Sequence, residues 1–278
     1  MTPDATHDWP DDSEAQRLVE AVAEAPSLLV ALDFDGTLAP RVDDPMSARM
    51  TPAARAAVDR LVVTPGVEVA LVSGRSIVDL EIISERPSDS AIHLSGSHGS
   101  EYLFAGGELE GAPTAPEIEL RDRLRKRAEA ATAEIPGIWI EPKTLGFGVH
   151  TRVATAADAD RAYALTDEIV GEYLGHASDD APRWRRRTGH DLVEYAFRDT
   201  GKDRAIAVVR ERRHPDAIVF AGDDTTDEDG LAVLTPADLG IRVGPGKTHA
   251  RVRVTDPDAL AALLVAIADA RLAAGVPS

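Results

Sequence analysis

Apolar residues are nearly continuous over 28–33, 67–74, 217–223 and 239–244, each a strand's length. Around them lie segments whose apolar positions are spaced as on a helix face: 13–25, 51–61, 76–84, 202–213, a segment from about Asp227, and 257–273. Ser13 is a candidate N-cap for the first, and Thr51-Pro52 opens the second with proline at the first helical position. The stretch 91–103 contains one more strand, and Gly106-Gly107 reads as a hairpin turn. Unbroken apolar strands alternating with helices predict an α/β fold with a doubly wound parallel sheet, buried on both faces.

The middle of the chain breaks this rhythm. A linker-like GAPTAPE (111–117) leads into a charged helix over 116–134. Two strands come next, at 137–141 and 145–152, then a helix over 157–175. A hairpin of 181–187 and 190–197 turns around Thr188-Gly189. The order αββαββ predicts an antiparallel α+β insert. The chain then divides into a first core part (1–110), an insert (111–197) and a second core part (198–278).

Composition narrows the chemistry. The 278 residues are 44% hydrophobic but only 4% aromatic, so the core rests on Ala, Val, Leu and Ile. The absence of cysteine excludes disulfides, thiolate catalysis and Cys-ligated zinc. The formal charge of −18 excludes nucleic acid as an expected partner, because phosphate-backbone binding needs a basic surface. Only Lys126, Lys143, Lys202 and Lys247 are lysines among 30 basic residues. Either a salt adaptation or codon usage accounts for such an acidic, lysine-poor chain. The acidic start, MTPDATHDWPDDSE, has no leader pattern, and no apolar run reaches the ~18 residues of a membrane span. A cytoplasmic protein is expected, with no membrane and no protein partner implied.

The strand ends carry the candidate chemistry. Asp33 and Asp35 stand at the end of an apolar strand with only Phe34 between them. Two like charges there lose solvation and repel, which needs a compensating cation or reaction. Three further segments occupy comparable places: SGR (73–75), Lys202 at a helix start, and GDDTTDED (222–229). Ligands bind at the carboxyl ends of strands in doubly wound sheets, and these contents suit phosphoryl transfer. Asp33 fits a nucleophile, and Asp35 an acid that protonates the leaving oxygen and then activates water. Asp223 fits a shared Mg²⁺, which prefers hard oxygens and phosphate. Ser73 and Lys202 fit the phosphoryl oxygens.

DFDGTL (33–38), VSG (72–74), Lys202 and GDDTTDE (222–228) in that order resemble the four motifs of the haloacid dehalogenase superfamily of phosphatases. The insert resembles the cap of its sugar-phosphate members. EPKTLGFGVHTR (141–152), GSHGSEY (96–102) and DDTTDE (223–228) resemble the trehalose-phosphatase family. This resemblance implies Mg²⁺-dependent hydrolysis of trehalose 6-phosphate through an aspartyl-phosphate. It implies phosphate contacts from Asp33, Phe34, Asp35, Thr37, Ser73, Gly74 and Lys202. It implies metal contacts from Asp33, Asp35, Asp223, Asp224 and Asp227. It implies sugar contacts from Arg75, His98, Lys143, His150, Arg152 and Glu194, a set supplying both donors and acceptors for hydroxyls. The chain departs from the family pattern at Thr151, where tyrosine is usual, and at Asp203, where glycine is usual. A sucrose- or mannosylglycerate-type phosphatase, a phosphosugar mutase and a non-catalytic sugar-phosphate binder are the competing readings.

Three other motifs carry less. RVGPGKTH (242–249) contains GKT, but a Walker loop needs glycine five residues before Gly246, where Ile241 stands. RWRRR (183–187) on a strand sends Arg183, Arg185 and Arg187 one way and Trp184 the other, a solvated or acid-paired face. His98 has no GxSxG nucleophile elbow beside it.

Overall fold

A computed structural model describes residues 6–175, 184–189, 191–198 and 200–276. Its strands are β1 (His7–Asp8), β2 (Leu28–Leu32), β3 (Val67–Val72), β4 (His93–Gly96), β5 (Glu101–Leu103), β6 (Leu109–Glu110), β7 (Trp139–Lys143), β8 (Gly146–His150), β9 (Arg185–Gly189), β10 (Leu192–Ala196), β11 (Ala217–Gly222), β12 (Leu239–Val243) and β13 (Val252–Val254). Its helices are α1 (Ser13–Ala23), α2 (Pro52–Val62), α3 (Ile77–Ser84), α4 (Ala115–Thr132), α5 (Ala156–Gly175), α6 (Lys202–Arg213), α7 (Thr225–Ala232) and α8 (Pro257–Ala274). The chain packs as two units, Met1–Glu110 with Gly201–Ser278, and Gly111–Thr200. Among the described residues no helix is long and apolar enough to cross a membrane.

The first unit is built on a nine-stranded sheet, ordered β1-β13-β12-β11-β2-β3-β4-β5-β6. Neighbours from β1 to β4 pair in parallel, and β5 and β6 close one edge antiparallel. Every residue of β2, β11 and β12 is buried; β2 and β11 are unbroken apolar runs, while β12 also buries Arg242 against Glu228. Residues of α1, α2, α3 and α8 cluster with one set of strand side chains. Residues of α6 and α7 cluster with the alternate set, including Leu29, Ala31, Ala70, Val72, Ile218 and Phe220. The alternation of side chains along each strand thus feeds two cores, one per face. Adjacent β11, β2 and β3 are the strands that run into Asp223, Asp33 and Ser73.

The second unit has its own core. Phe147, Val149, Val193 and Tyr195 pack with Leu120, Leu124, Ala128, Ala162, Ile169 and Val170 of α4 and α5. Its four strands pair antiparallel in the order β7-β8-β10-β9.

Several element limits differ from expectation for local reasons. The cap of α1 is Asp12, which accepts the Glu14 N–H at 2.7 Å, so Ser13 is already helical. Helix α7 starts at Thr225 rather than Asp227, because Asp224 and Asp227 form a reciprocal capping box. The stretch 91–103 holds two strands, β4 and β5, since Ser97 and His98 turn the chain with positive φ. Thr188 and Gly189 are paired in β9 with Val193 and Leu192, and the turn falls after them, at Asp191 with φ 54°. The short strands β1, at the sheet edge, and β13 beside it have no sequence signal; two and three residues are too few for a periodicity. Residues 1–5 of the acidic start, residues 181–183 (Arg183 included) and His190 lie outside the described residues. In the same tract Arg186 pairs with Asp167 at 2.8 Å and Trp184 packs on the core of its unit.

Candidate active site

Within the first unit, the ends of β2, β3 and β11 and the start of α6 line a cleft of about 300 Å³. Asp33, Asp35, Ser73, Gly74, Arg75, His98, Lys202, Asp223, Asp224 and Asp227 are among its walls. Asp33 is 5% exposed and Lys202 3%. Lys202 Nζ donates to Asp33 Oδ1 at 2.6 Å and also to Asp227 Oδ1. Thr37 Oγ1 donates to the other Asp33 oxygen at 3.0 Å. Asp227, fully buried, accepts the N–H groups of Asp223 and Asp224 at 3.0 and 2.9 Å on its second oxygen. One buried cation therefore joins the β2 end to the start of α7.

Burial pushes the Asp33 carboxyl up to about 8, against the pull of Lys202 and with the push of Asp227 and Asp223. Burial works against the Lys202 charge, yet Asp227 and Asp33 outweigh it and its pKa moves up. Burial also raises Asp223, with Arg41 opposing. One oxygen from each of Asp33, Asp223 and Asp227 lies within 4.8 Å of the others. Three hard oxygens in that space fit a small divalent cation, which would also offset the cost of ionising Asp33. Asp227 already commits both oxygens to Lys202 and to main-chain N–H groups, so its share is to hold the other groups in place. Asp35 and Asp224 stand outside this cluster.

Asp35 is instead gripped by Arg75, whose Nε and Nη2 meet its two oxygens, each at 2.6 Å. This bidentate fork fixes the carboxylate at the cleft wall. Ser73 is buried and its Oγ accepts the Arg75 N–H at 3.2 Å. The side chain of Phe34 is fully buried in the core, which leaves only its backbone to face a ligand. Two glycines are dictated by close approach. A Cβ on Gly36, whose φ is +85°, would sit 2.0 Å from Asp223 Oδ2. One on Gly74 would sit 2.5 Å from the His98 ring, which covers it. Asp203 lies in the first turn of α6, capped by Gly201, where an acidic side chain meets the positive helix end.

Within the second unit, the sheet face opposite its core is polar. Glu141, Gly148 and Glu194 are aligned across β7, β8 and β10. Lys143 Nζ is 2.9 Å from Glu141 and 3.6 Å from Glu194. His150 Nε2 is 2.7 Å from Glu141, and its ring stacks on Trp139 at 4.5 Å. Arg152 is exposed beyond the end of β8. Thr151 is buried and bonds the Tyr163 hydroxyl at 2.7 Å. Glu141, which ties Lys143 to His150, is not among the sugar contacts that the sequence implies, although it opens the EPK motif. Arg41, which forks onto Asp223, has no sequence signal at all.

A family model described as trehalose-phosphatase matches residues 31–258. The chain belongs to the trehalose-phosphatase family. A trehalose-phosphate phosphatase of Mycobacterium ulcerans (strain Agy99) is 31% identical over 233 residues, covering 78% of this chain and 54% of that protein. The chain thus spans about half the length of that curated relative. A trehalose-6-phosphate phosphatase of Escherichia coli (strain K12) is 28% identical, covering 85% of this chain and 86% of that one. The C-terminal domain of a C. albicans trehalose-6-phosphate phosphatase superposes with a TM-score of 0.74 at 20% identity, over 95% of this chain and 98% of that domain. At that identity the likeness to the last is one of fold.

Proposed function

We propose that this member of the trehalose-phosphatase family is a Mg²⁺-dependent phosphatase that hydrolyses trehalose 6-phosphate to trehalose and phosphate. The observation that carries this reading is the buried Asp33, held from two sides by Lys202 and Thr37 beside the Asp223 carboxylate and within the cleft. An Asp33 oxygen attacks phosphorus, and the bond from phosphorus to the sugar oxygen breaks. Asp35 gives its proton to that oxygen, which releases trehalose. Asp35 then takes a proton from water, whose oxygen attacks the aspartyl-phosphate. The bond from Asp33 to phosphorus breaks, and Asp33 and inorganic phosphate are restored. Lys202 and Ser73 hold the phosphoryl oxygens, and Arg75 positions Asp35 but must give up one of its oxygens for that oxygen to carry the proton. Asp33 and Asp223 would hold the Mg²⁺, which supplies countercharge to the phosphoryl group and to Asp33.

The inserted unit is read as the sugar-recognising cap. A disaccharide offers hydroxyls and no charge beyond its phosphate, so selection needs paired donors and acceptors that a wrong sugar leaves unsatisfied. The Glu141, Lys143, His150 and Glu194 face supplies them.

Phosphate release over a panel of sugar phosphates is expected to be fastest with trehalose 6-phosphate. It should stop in excess EDTA and return with Mg²⁺; full activity in EDTA would remove the metal from the mechanism. A preference for sucrose phosphate or mannosylglycerate phosphate would reassign the substrate, and no release from any would leave a binder.

Chemistry and recognition should also separate by mutation. Glu194→Gln keeps volume but removes a charged acceptor, and hydrogen bonds to charged groups contribute about 1.5–3 kcal/mol. Its kcat/KM for trehalose 6-phosphate should fall roughly 10- to 100-fold. Hydrolysis of a small aryl phosphate should change little. Equal losses on both substrates would place Glu194 in the catalytic machinery or the fold instead.

A further inference from the structure

Five carboxylates crowd the ends of β2 and β11 and the start of α7; Arg75 answers Asp35, and two further cations answer the other four. Lys202 pairs with Asp33 and Asp227, and it is buried along with both. Arg41 pairs with Asp223 at 2.8 Å and Asp224 at 3.3 Å, and its side chain is 61% exposed. The two cations therefore differ in what it takes to move them. Lys202 cannot leave without stranding buried charge. Arg41 sits on a long exposed side chain, where pairing is worth little and release into water is cheap.

Arg41 is also placed on a particular oxygen. Its Nε and Nη2 both donate to Asp223 Oδ2, at 3.0 and 2.8 Å. Two such bonds use that oxygen's lone pairs. The other oxygen of Asp223 faces Thr37 Oγ1 at 3.5 Å. Asp223 itself has little room to turn, since its carboxylate packs against Gly36 where even a methyl group would collide.

We propose that Arg41 is the exchangeable counter-charge of this centre: its guanidinium and a divalent cation compete for the Asp223 carboxylate, and loading the cation requires Arg41 to swing off. This rests on reading Asp33 and Asp223, with Asp227 holding them in place, as the cation centre. Competition arises through charge: the guanidinium already neutralises the Asp223 carboxylate from its Oδ2 side, and it repels an ion approaching the Oδ1 side that faces Thr37 and Asp33. Arg41 thereby sets the cation affinity of the centre, while Lys202 remains the fixed charge that holds Asp33 and Asp227. The displaced side chain stays tethered at the rim of the cleft it lines.

The test is calorimetric titration of the full chain with MgCl₂ alone, at low ionic strength, for wild type, Arg41→Gln and Arg41→Lys. Arg41→Gln should bind Mg²⁺ roughly five- to tenfold more tightly, the scale of one exposed pair plus the removed repulsion. Arg41→Lys, which keeps the charge and loses the fork, should fall between. The gap should narrow as KCl is raised, because exposed charges are screened. Without added cation Arg41→Gln should melt below wild type, and saturating Mg²⁺ should raise its melting temperature by more. Equal or weaker Mg²⁺ binding by Arg41→Gln overturns the exchange and makes Arg41 a prop for Asp223. Absence of Mg²⁺ binding by all three forms overturns the cation centre itself, and this inference with it.

Discussion

Asp33→Asn is expected to abolish turnover while leaving the fold intact. The amide is nearly the same shape, still accepts a hydrogen bond through its oxygen, and cannot displace a phosphoryl group. Loss of a covalent nucleophile costs at least about 10⁴-fold in rate. Stability should hold or rise slightly, because the variant buries one like charge fewer beside Asp223 and Asp227. Acid quench during turnover should leave a hydroxylamine-sensitive phosphate on the wild-type peptide that carries Asp33, and none on the variant. Turnover within tenfold of wild type would remove Asp33 from its role.

Lys202→Met should damage both the chemistry and the fold. Methionine fills similar space but leaves Asp33 and Asp227 buried without their shared cation. Stripping one partner from a buried pair costs about 3–5 kcal/mol. For a chain of this size that corresponds to a fall in Tm on the order of 10 °C. The pH dependence fixes the cause. The native Asp33 pKa is raised by burial, so the native state favours the protonated acid. Its stabilising contribution is present below the unfolded carboxylate value and lost as pH rises toward about 8. In Lys202→Met no cation helps Asp33 ionise, so its native pKa moves higher still. The Asp33 part of the deficit should therefore widen as pH rises past about 8, where the wild-type carboxyl ionises and the variant's does not, and stay level below it. Hydrolysis of trehalose 6-phosphate and of an aryl phosphate should both collapse, in contrast to Glu194→Gln. A variant that melts like wild type at pH 8 would show that the buried pair has another source of countercharge.

The sequence by itself determined the elements and the strand ends. A run such as Leu28–Leu32 has one reading, a strand buried on both faces, and the residues just after it lie at the carboxyl end of the sheet, where ligands bind. That placed Asp33, Ser73 and Asp223 at such strand ends without reference to tertiary contacts, and Lys202 at the start of α6. What only the tertiary structure decided is pairing. Lys202 meets Asp33 across 169 positions and Arg41 meets Asp223 across 182. The first exists because α6 packs over β2, and the second because β11 lies beside β2, arrangements that no local periodicity encodes. The same holds for the fork of Arg75 on Asp35, which needs β3 next to β2. It holds for the alignment of Glu141 with Glu194 through Gly148, which needs the β7-β8-β10 register. Periodicity reports how each segment meets the core a few residues at a time. Which charges answer one another is set by strand order and register, quantities of the whole chain.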